Sequence, residues 1–261
     1  MADRLRVSMV QAHIIWEDVR ENLGYYGELL RRLKGKTDVA VLPEMFTTGF
    51  SMRVDPLAEP VTGLTVRTVK EWARTYGMAI VGSFMAEEAG RYYNRAFFIT
   101  PEGGSYYYDK RHLFRMGEEN EYFTAGDKRL IVSYKGWNIC LLVCYDLRFP
   151  VWSRNTGNAY DLLIYCANWP EPRKKVWKVL LEARAIENMC YVCGVNRVGF
   201  DAAGMAYRGD SMLVSPKGKK LADAGKKEEV TRTCVLDKVE LDDLRSRFPC
   251  WEDMDSFSIT L

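Results

Sequence analysis

Three residues that could carry out covalent chemistry follow apolar segments, at points where strands are expected to end. Glu44 follows the apolar residues 39–42, Lys110 follows a segment rich in tyrosine, and Cys144 follows residues 141–143. A thiol at a strand-to-helix turn is a candidate nucleophile, because backbone N–H groups there favour a thiolate and an oxyanion. A carboxylate could serve as its base, and an ammonium group could hold the oxyanion.

Each of these residues also has a purely structural interpretation. Glu44 could be a loop carboxylate, Lys110 a solvated hairpin residue and Cys144 a core thiol. Other kinds of chemistry lack their usual signals, because the sequence has no GxGxxG or GxxxxGK[ST] loop and no GxSxG elbow. The two histidines, His13 and His112, cannot build a His-based zinc site without unusual help from other ligands. We therefore expect neither a metal nor a nucleotide cofactor.

The elements that must position the three residues alternate between strands and helices. Alternating or wholly apolar segments predict strands over residues 5–12, 39–42, 78–84, 92–100, 105–109, 129–133, 137–143, 162–166, 191–195, 211–215 and 229–236. Helical periodicity predicts helices over residues 18–35, 64–76, 151–156 and 173–188. For the last of these helices, the apolar spacing predicts an inward face formed by Val176, Val179, Leu180, Ala183 and Ile186.

This strand content exceeds what a single doubly wound sheet requires. Two sheets packed face to face, with helices on the outer faces, accommodate the excess better. The sequence shows no repeat, low-complexity tract or linker. We predict an α/β fold, a four-layer α-β-β-α sandwich, in a single domain of residues 1–261.

Composition excludes several classes of partner. The chain has 37 Lys+Arg and 35 Asp+Glu, a net charge of +2, so no large positive field is available for nucleic acid. The longest strongly apolar stretches, residues 139–143 and 162–167, fall far short of the ~20 residues of a membrane-spanning helix, and no signal-peptide pattern is present. The seven cysteines fit reduced thiols and a cytoplasmic location, and the six other than Cys144 are expected to be buried or inert.

Three sequence blocks around the candidate residues resemble the three signatures of the nitrilase superfamily of carbon-nitrogen hydrolases. These blocks are LPEMF at residues 42–46, YDKRHLF at 108–114 and LVCYDLRFP at 142–150. The resemblance extends over nearly the whole chain, to EARAIEN at 182–188 and YRGDS at 207–211. It implies the α-β-β-α sandwich, a Glu-Lys-Cys triad, no cofactor, and homodimers or higher oligomers.

The resemblance also implies a role for each matching residue. Glu44 would be the general base and acid, Lys110 the oxyanion stabiliser, and Cys144 the nucleophile, with the backbone N–H of Tyr145 as a second oxyanion donor. Glu119 matches a second family glutamate in the segment ENEYFTAGD, although Ala125 stands where the family has proline. Glu118 and Glu121 are close alternatives, and a solvated loop acid is the structural interpretation.

Within the family, three segments look most like the ω-amidase branch, which hydrolyses the terminal amide of 2-oxoglutaramate and 2-oxosuccinamate. They are residues 43–52, 110–116 and 167–173. Such substrates carry a carboxylate at the far end, which suits a guanidinium group. Arg148 is the first candidate anchor and Arg173 the second, while Trp169 could wall the pocket. Arg148 could instead form a structural ion pair with Asp146.

Two broader alternatives remain at this stage. Hydrolysis of another amide, an N-carbamoyl compound or a nitrile would use the same triad. A scaffold without turnover is the alternative from a different class, but it has no physical need for an acid, a cation and a thiol at three strand ends. The sequence therefore favours an amide hydrolase with a small-molecule substrate.

Overall fold

The computed structural model describes residues 3–260; Met1, Ala2 and Leu261, which the predicted domain includes, lie outside the described residues. The strands are β1 (Arg4–Gln11), β2 (Val39–Val41), β3 (Ala79–Glu88), β4 (Arg91–Ile99), β5 (Ser105–Asp109), β6 (Leu130–Tyr134), β7 (Trp137–Val143), β8 (Leu162–Ala167), β9 (Tyr191–Asn196), β10 (Val198–Phe200), β11 (Ala206–Arg208), β12 (Met212–Val214), β13 (Lys220–Asp223) and β14 (Val230–Asp237). The α-helices are α1 (Val19–Arg31), α2 (Val54–Leu57), α3 (Leu64–Tyr76), α4 (Glu119–Tyr122), α5 (Pro150–Ser153), α6 (Lys174–Glu187) and α7 (Lys238–Arg247). In this part of the chain no helix has the length and apolar character needed to span a membrane.

Two six-stranded sheets organise the molecule. The first has the order β14-β1-β2-β3-β4-β5, and the second has the order β13-β12-β9-β8-β7-β6. Each sheet has three parallel strands, β1 to β3 in the first and β7 to β9 in the second, flanked by antiparallel strands. Strands β10 and β11 form a separate antiparallel pair. The predicted α-β-β-α sandwich is confirmed.

The pleat of the strands divides the apolar side chains between two layers. Val39 and Val41 of β2 belong to the core between the sheets, where they join Leu141 of β7. Ala40 belongs to an outer core together with Leu30 of α1 and the neighbouring helix α3. Successive side chains of a strand point to opposite faces, so wholly apolar strands are what a sheet covered on both sides requires.

Helix α6 covers the second sheet with only part of the predicted face: Val176 and Leu180 pack partly buried against the core, as predicted, but two other residues do not. Val179 and Ile186 are 53% and 55% exposed, which contradicts their assignment to the inward face. The buried residues are instead Trp177, Leu181, Arg184 and Ala185. Arg184 can be buried because its guanidinium group donates a 2.8 Å hydrogen bond to the carbonyl oxygen of Leu147 and contacts Glu187 at 2.9 Å.

The cysteines are all free, and five of the seven are buried. Of the six thiols besides Cys144 that were expected to be buried or inert, four are buried, whereas Cys234 is half-buried and Cys250 is exposed. Cys234 lies on β14, an edge strand of the first sheet that leaves part of its length open to solvent. Cys250 lies in a helical turn beyond α7.

Several strands end close to one another and bring polar residues to one rim of the sandwich. Lys110 directly follows β5, Cys144 directly follows β7 and Asn168 directly follows β8, while Glu44 follows β2 by three residues. Strands β7 and β8 are parallel neighbours, so their carboxyl ends lie side by side. This is the edge at which open α/β sheets bind ligands.

Candidate active site

Cys144 occupies a strained turn between β7 and a short helical segment. Its backbone φ is +41°, in the left-handed region that residues with a side chain rarely adopt. The turn is fixed by Asp146, whose carboxylate accepts a 3.0 Å hydrogen bond from the backbone N–H of Val143. Burial raises the pKa of the Cys144 thiol well above its usual value, the charge of Glu44 adds to that shift, and Lys110 opposes it. The thiol therefore needs a base before it can attack.

The ammonium group of Lys110 is enclosed by two carboxylates. Its Nζ lies 2.8 Å from Oε1 of Glu44, and 3.0 and 2.9 Å from Oε1 and Oε2 of Glu119. The side chain is only 1% exposed. Burial alone would lower the pKa of Lys110, but the two carboxylates outweigh it and raise the pKa above its ordinary value. The lysine is therefore a permanent cation beside the thiol.

Glu44 is fully buried and is held from two sides. Its Oε2 accepts a 2.8 Å hydrogen bond from the backbone N–H of Asn168, and its Oε1 faces Lys110. Its own carbonyl oxygen accepts a 2.7 Å hydrogen bond from the side-chain amide of Asn168. The carboxylate that was predicted to act as base is thus rigidly placed between the strand ends that follow β5 and β8.

The structure distinguishes Glu119 from the two neighbouring glutamates. Glu118 and Glu121 are exposed, whereas Glu119 is fully buried at the first position of α4. In addition to Lys110, it accepts a 2.6 Å hydrogen bond from the backbone N–H of Phe114. Burial raises the pKa of Glu119, although Lys110 acts in the opposite direction.

Two asparagines that sequence reasoning did not single out contact these carboxylates. Asn168 follows β8 directly, so the strand-end criterion applied to Glu44 and Cys144 would have found it. Asn94 lies in the middle of β4, and its Nδ2 is 2.7 Å from Glu44 and 2.9 Å from Glu119. The signal for Asn94 was weaker, because it is one of several polar residues in the first half of β4 and the pattern does not reveal its partner.

A cavity of about 420 Å³ opens above Cys144 and Lys110. Its lining includes all four residues predicted to lie around the substrate, namely Tyr145, Arg148, Trp169 and Arg173. The guanidinium group of Arg148 lies 5.3 Å from the centre of the Trp169 ring, and that of Arg173 lies 5.1 Å from the centre of the Phe114 ring. Trp169 is locked by a 2.9 Å hydrogen bond from its Nε1 to the carbonyl oxygen of Arg173. The cavity therefore combines aromatic walls with two cationic groups.

The alternative ion pair between Arg148 and Asp146 is absent from the ion pairs of residues 3–260. Asp146 turns inward, where it contacts the Tyr108 hydroxyl at 2.8 Å and both the backbone N–H and Nδ1 of His112 at 2.9 and 2.8 Å. Arg148 is left on the cavity side of the turn. Its charge can therefore reach a ligand.

A family model described as carbon-nitrogen hydrolase matches residues 6–245. The chain belongs to the carbon-nitrogen hydrolase family. The resemblance to this family that the three sequence blocks carried is confirmed, and the protein is a hydrolase that acts on carbon–nitrogen bonds. The match to the family model begins within β1 and ends within α7, so the family relationship covers both sheets.

Known relatives of this carbon-nitrogen hydrolase match over almost the full length. Omega-amidase YafV of Escherichia coli (strain K12) is 42% identical over 98% of this chain and 98% of the relative. The 2-oxoglutaramate amidase of Bacillus subtilis (strain 168) is 32% identical over 95% of this chain and 96% of the relative. The crystal structure of XC1258 from Xanthomonas campestris, a CN-hydrolase superfamily protein with an arsenic adduct in its active site, has a TM-score of 0.97 at 42% identity and covers 99% of this chain and 100% of that one.

Proposed function

We propose that this hydrolase is an ω-amidase, which converts the terminal carboxamide of 2-oxoglutaramate or 2-oxosuccinamate into a carboxylate and ammonia. The observation that carries the proposal is the cavity that holds Cys144 together with Arg148 and Arg173. Relatives named omega-amidase and 2-oxoglutaramate amidase support the same substrate class.

In the first half of the proposed reaction, Cys144 attacks the amide carbon while Glu44 takes the thiol proton. The sulfur–carbon bond forms as the carbonyl electron pair moves onto oxygen. The ammonium group of Lys110 and the backbone N–H of Tyr145 then hold the oxyanion. That N–H lies in the first helical turn after β7, where N–H groups have no acceptor within the helix.

The tetrahedral intermediate next loses its nitrogen. The electron pair on oxygen re-forms the carbonyl group, the carbon–nitrogen bond breaks, and protonated Glu44 gives its proton to the departing ammonia. A thioester remains on Cys144, and Glu44 is again a carboxylate. Lys110 stays charged throughout, since both neighbouring carboxylates hold it.

Water completes the reaction. Glu44 takes a proton from water as the water oxygen attacks the thioester carbon. A second tetrahedral oxyanion forms, and the same two donors hold it. Its collapse breaks the carbon–sulfur bond, and Glu44 returns a proton to sulfur. We assign Glu119 to orient Lys110 and the amide nitrogen, because both of its oxygens contact the ammonium group.

The proposed specificity depends on the far end of the substrate. We assign Arg148 as the first anchor of its carboxylate and Arg173 as the second, with Trp169 as a wall. Both guanidinium groups pack against aromatic faces, which leaves their planar edges available for hydrogen bonds to two carboxylate oxygens.

Ammonia release from four compounds tests the proposal. We expect the highest kcat/KM for 2-oxoglutaramate, compared with a neutral amide of equal length, a carbamoyl amino acid and a simple nitrile. A higher value for any of the other three would overturn the ω-amidase assignment, while the role of Cys144 would still stand. If no compound releases ammonia and none of the four forms a covalent adduct with Cys144, the alternative of a scaffold without turnover would be favoured.

We further propose that the enzyme is a cytoplasmic homodimer or higher homo-oligomer. Free thiols at all seven cysteines support a reducing compartment. The outward face of α6 supports self-association, since it carries the exposed apolar residues Val179 and Ile186. Light scattering should show a dimer or larger species that Val179→Glu with Ile186→Glu dissociates; a monomer before substitution would contradict self-association.

A further inference from the structure

Asn94 lies between the two buried carboxylates of the site. It is fully buried in β4, and its Nδ2 is 2.7 Å from Oε1 of Glu44 and 2.9 Å from Oε1 of Glu119. A primary amide has two hydrogens on its nitrogen, so a single Nδ2 can donate to both oxygens at once. Asn94 therefore links the two carboxylates independently of Lys110.

Ser83 determines which end of the Asn94 amide faces the carboxylates. The hydroxyl oxygen of Ser83 accepts a 2.8 Å hydrogen bond from the backbone N–H of Met45. Its own hydrogen is then available for Oδ1 of Asn94, at 3.0 Å. With Oδ1 engaged as an acceptor, Nδ2 must point to the carboxylates. Since Met45 is the next residue after Glu44, this chain of contacts closes a ring through β3 and β4.

The charges around this ring do not balance. Glu44 and Glu119 face one cation, Lys110, and the other titratable groups that face Glu44 are the thiols of Cys144 and Cys166. Burial raises the pKa of Glu119, while Lys110, the Asn94 amide and the Phe114 N–H all act to lower it. A hydrogen bond to the charged form of a carboxylate favours that form. The asparagine therefore favours the charged form of Glu119 while it also donates to Glu44.

We propose that Asn94, oriented by Ser83, is a positioning residue that holds Glu44 as the proton acceptor for Cys144. The inference rests on the proposed role of Glu44 as the base. A neutral donor suits this task better than a second cation would. Another cation would neutralise the cluster and weaken Glu44 as a base toward a buried thiol, whereas an amide stabilises the carboxylates without adding charge.

The pH dependence of kcat/KM tests this inference. For Asn94→Ala we expect the acid limb to move to higher pH by about one unit or more, because each carboxylate loses a hydrogen bond that favours its charged form. We expect kcat to fall while KM changes little, because Asn94 does not line the cavity. Ser83→Ala should move the limb in the same direction by less, since the amide becomes free to turn its oxygen toward the carboxylates.

Asn155→Ala is the matched control. Asn155 is also buried, and it binds Tyr160 and Asn188 away from the cavity. We expect it to lower the melting temperature without moving the acid limb. If the acid limb of kcat/KM does not move in Asn94→Ala, the inference is overturned. If Asn94→Ala does not fold, an unchanged acid limb in Ser83→Ala overturns it instead. Full activity of Glu44→Gln would instead overturn the proposed base.

Discussion

The hydroxyl group of Tyr108 donates a 2.8 Å hydrogen bond to the buried carboxylate of Asp146. Tyr108 lies two residues before Lys110, and Asp146 lies two residues after Cys144. The other oxygen of Asp146 accepts a 2.9 Å hydrogen bond from the backbone N–H of His112, two residues after the lysine. The Asp146 carboxylate thus holds the segment that contains Lys110 against the turn that contains Cys144.

We therefore expect Asp146→Asn to lower kcat by about tenfold or more, equivalent to about 1.4 kcal/mol, with little change in KM. An asparagine presents a donor where the native carboxylate accepts, so one of the four contacts must become a clash of donors. The turnover should be measured per folded molecule, with the folded fraction taken from circular dichroism, which removes the contribution of misfolded protein.

Asp161→Asn provides the matched control for that prediction. Asp161 is a second buried acid, paired with Arg245 at 2.8 Å and with Lys238. It directly precedes β8, whereas the cavity lies at the other end of that strand, beside Asn168. Its loss should reduce stability while leaving the turnover per folded molecule unchanged. An equal loss of turnover in both variants would show that Asp146 acts only on folding.

Cys144→Ala should abolish hydrolysis and leave the fold intact, because the sulfur forms the covalent bond and contributes little packing. Circular dichroism and ammonia release measure the two properties. Cys250→Ser is the matched thiol control, since Cys250 is exposed and lies outside the cavity; its activity should equal that of the wild type. Turnover by purified Cys144→Ala would remove the thioester mechanism.

Arg148→Met should raise KM for 2-oxoglutaramate by about tenfold or more, since a hydrogen bond to a charged group contributes about 1.5–3 kcal/mol. Hydrolysis of the neutral amide should hardly change, because that substrate has no carboxylate to lose. Arg67→Met, at an exposed position of α3, controls for overall charge. If only Arg173→Met shows the selective effect, Arg173 is the first anchor.

Stability should depend on Asp38 in a defined pH range. Burial would raise the pKa of Asp38, but hydrogen bonds from Arg6 and Lys135 prevail and lower it to about 2. Its contribution is therefore complete above the ordinary aspartate value near 4 and disappears as pH falls towards about 2. Asp38→Asn should cost about 1 kcal/mol at pH 7, allowing for solvent screening of the two partly exposed cations, and almost nothing at pH 2. Equal destabilisation at both pH values would contradict this linkage.

Most of the elements could be predicted from the sequence because most strands are short apolar runs bounded by turn residues. The short strands β10, β11 and β13 and the helices α2, α4 and α7 were not predicted. The bounds of α3, β5 and β7 agree with the prediction residue for residue. The inward face of α6 could not be predicted, since two apolar stripes run along this helix. The buried stripe contains Arg184, a charged residue that a sequence pattern assigns to the surface. Only its contacts with Leu147 and Glu187 explain its burial.

The catalytic candidates could be predicted because each follows a strand, and carboxyl ends of neighbouring parallel strands meet at one edge. Asn94 could not be found in this way. It lies within β4, and its contacts with Glu44 and Glu119 span 50 and 25 residues of sequence. Its role depends on how the loop after β2 and helix α4 lie relative to β4, which no local sequence pattern contains.

The burial of the Cys144 thiol has a consequence for oxidative stress. Peroxide attacks thiolates, and oxidation to sulfenic acid depends on thiolate character and exposure. Cys144 is only 8% exposed, and burial raises its pKa, which favours the thiol over the thiolate. We expect the activity to survive peroxide exposure that would inactivate an enzyme with an exposed, pre-ionised cysteine, because a buried thiol reacts more slowly with peroxide.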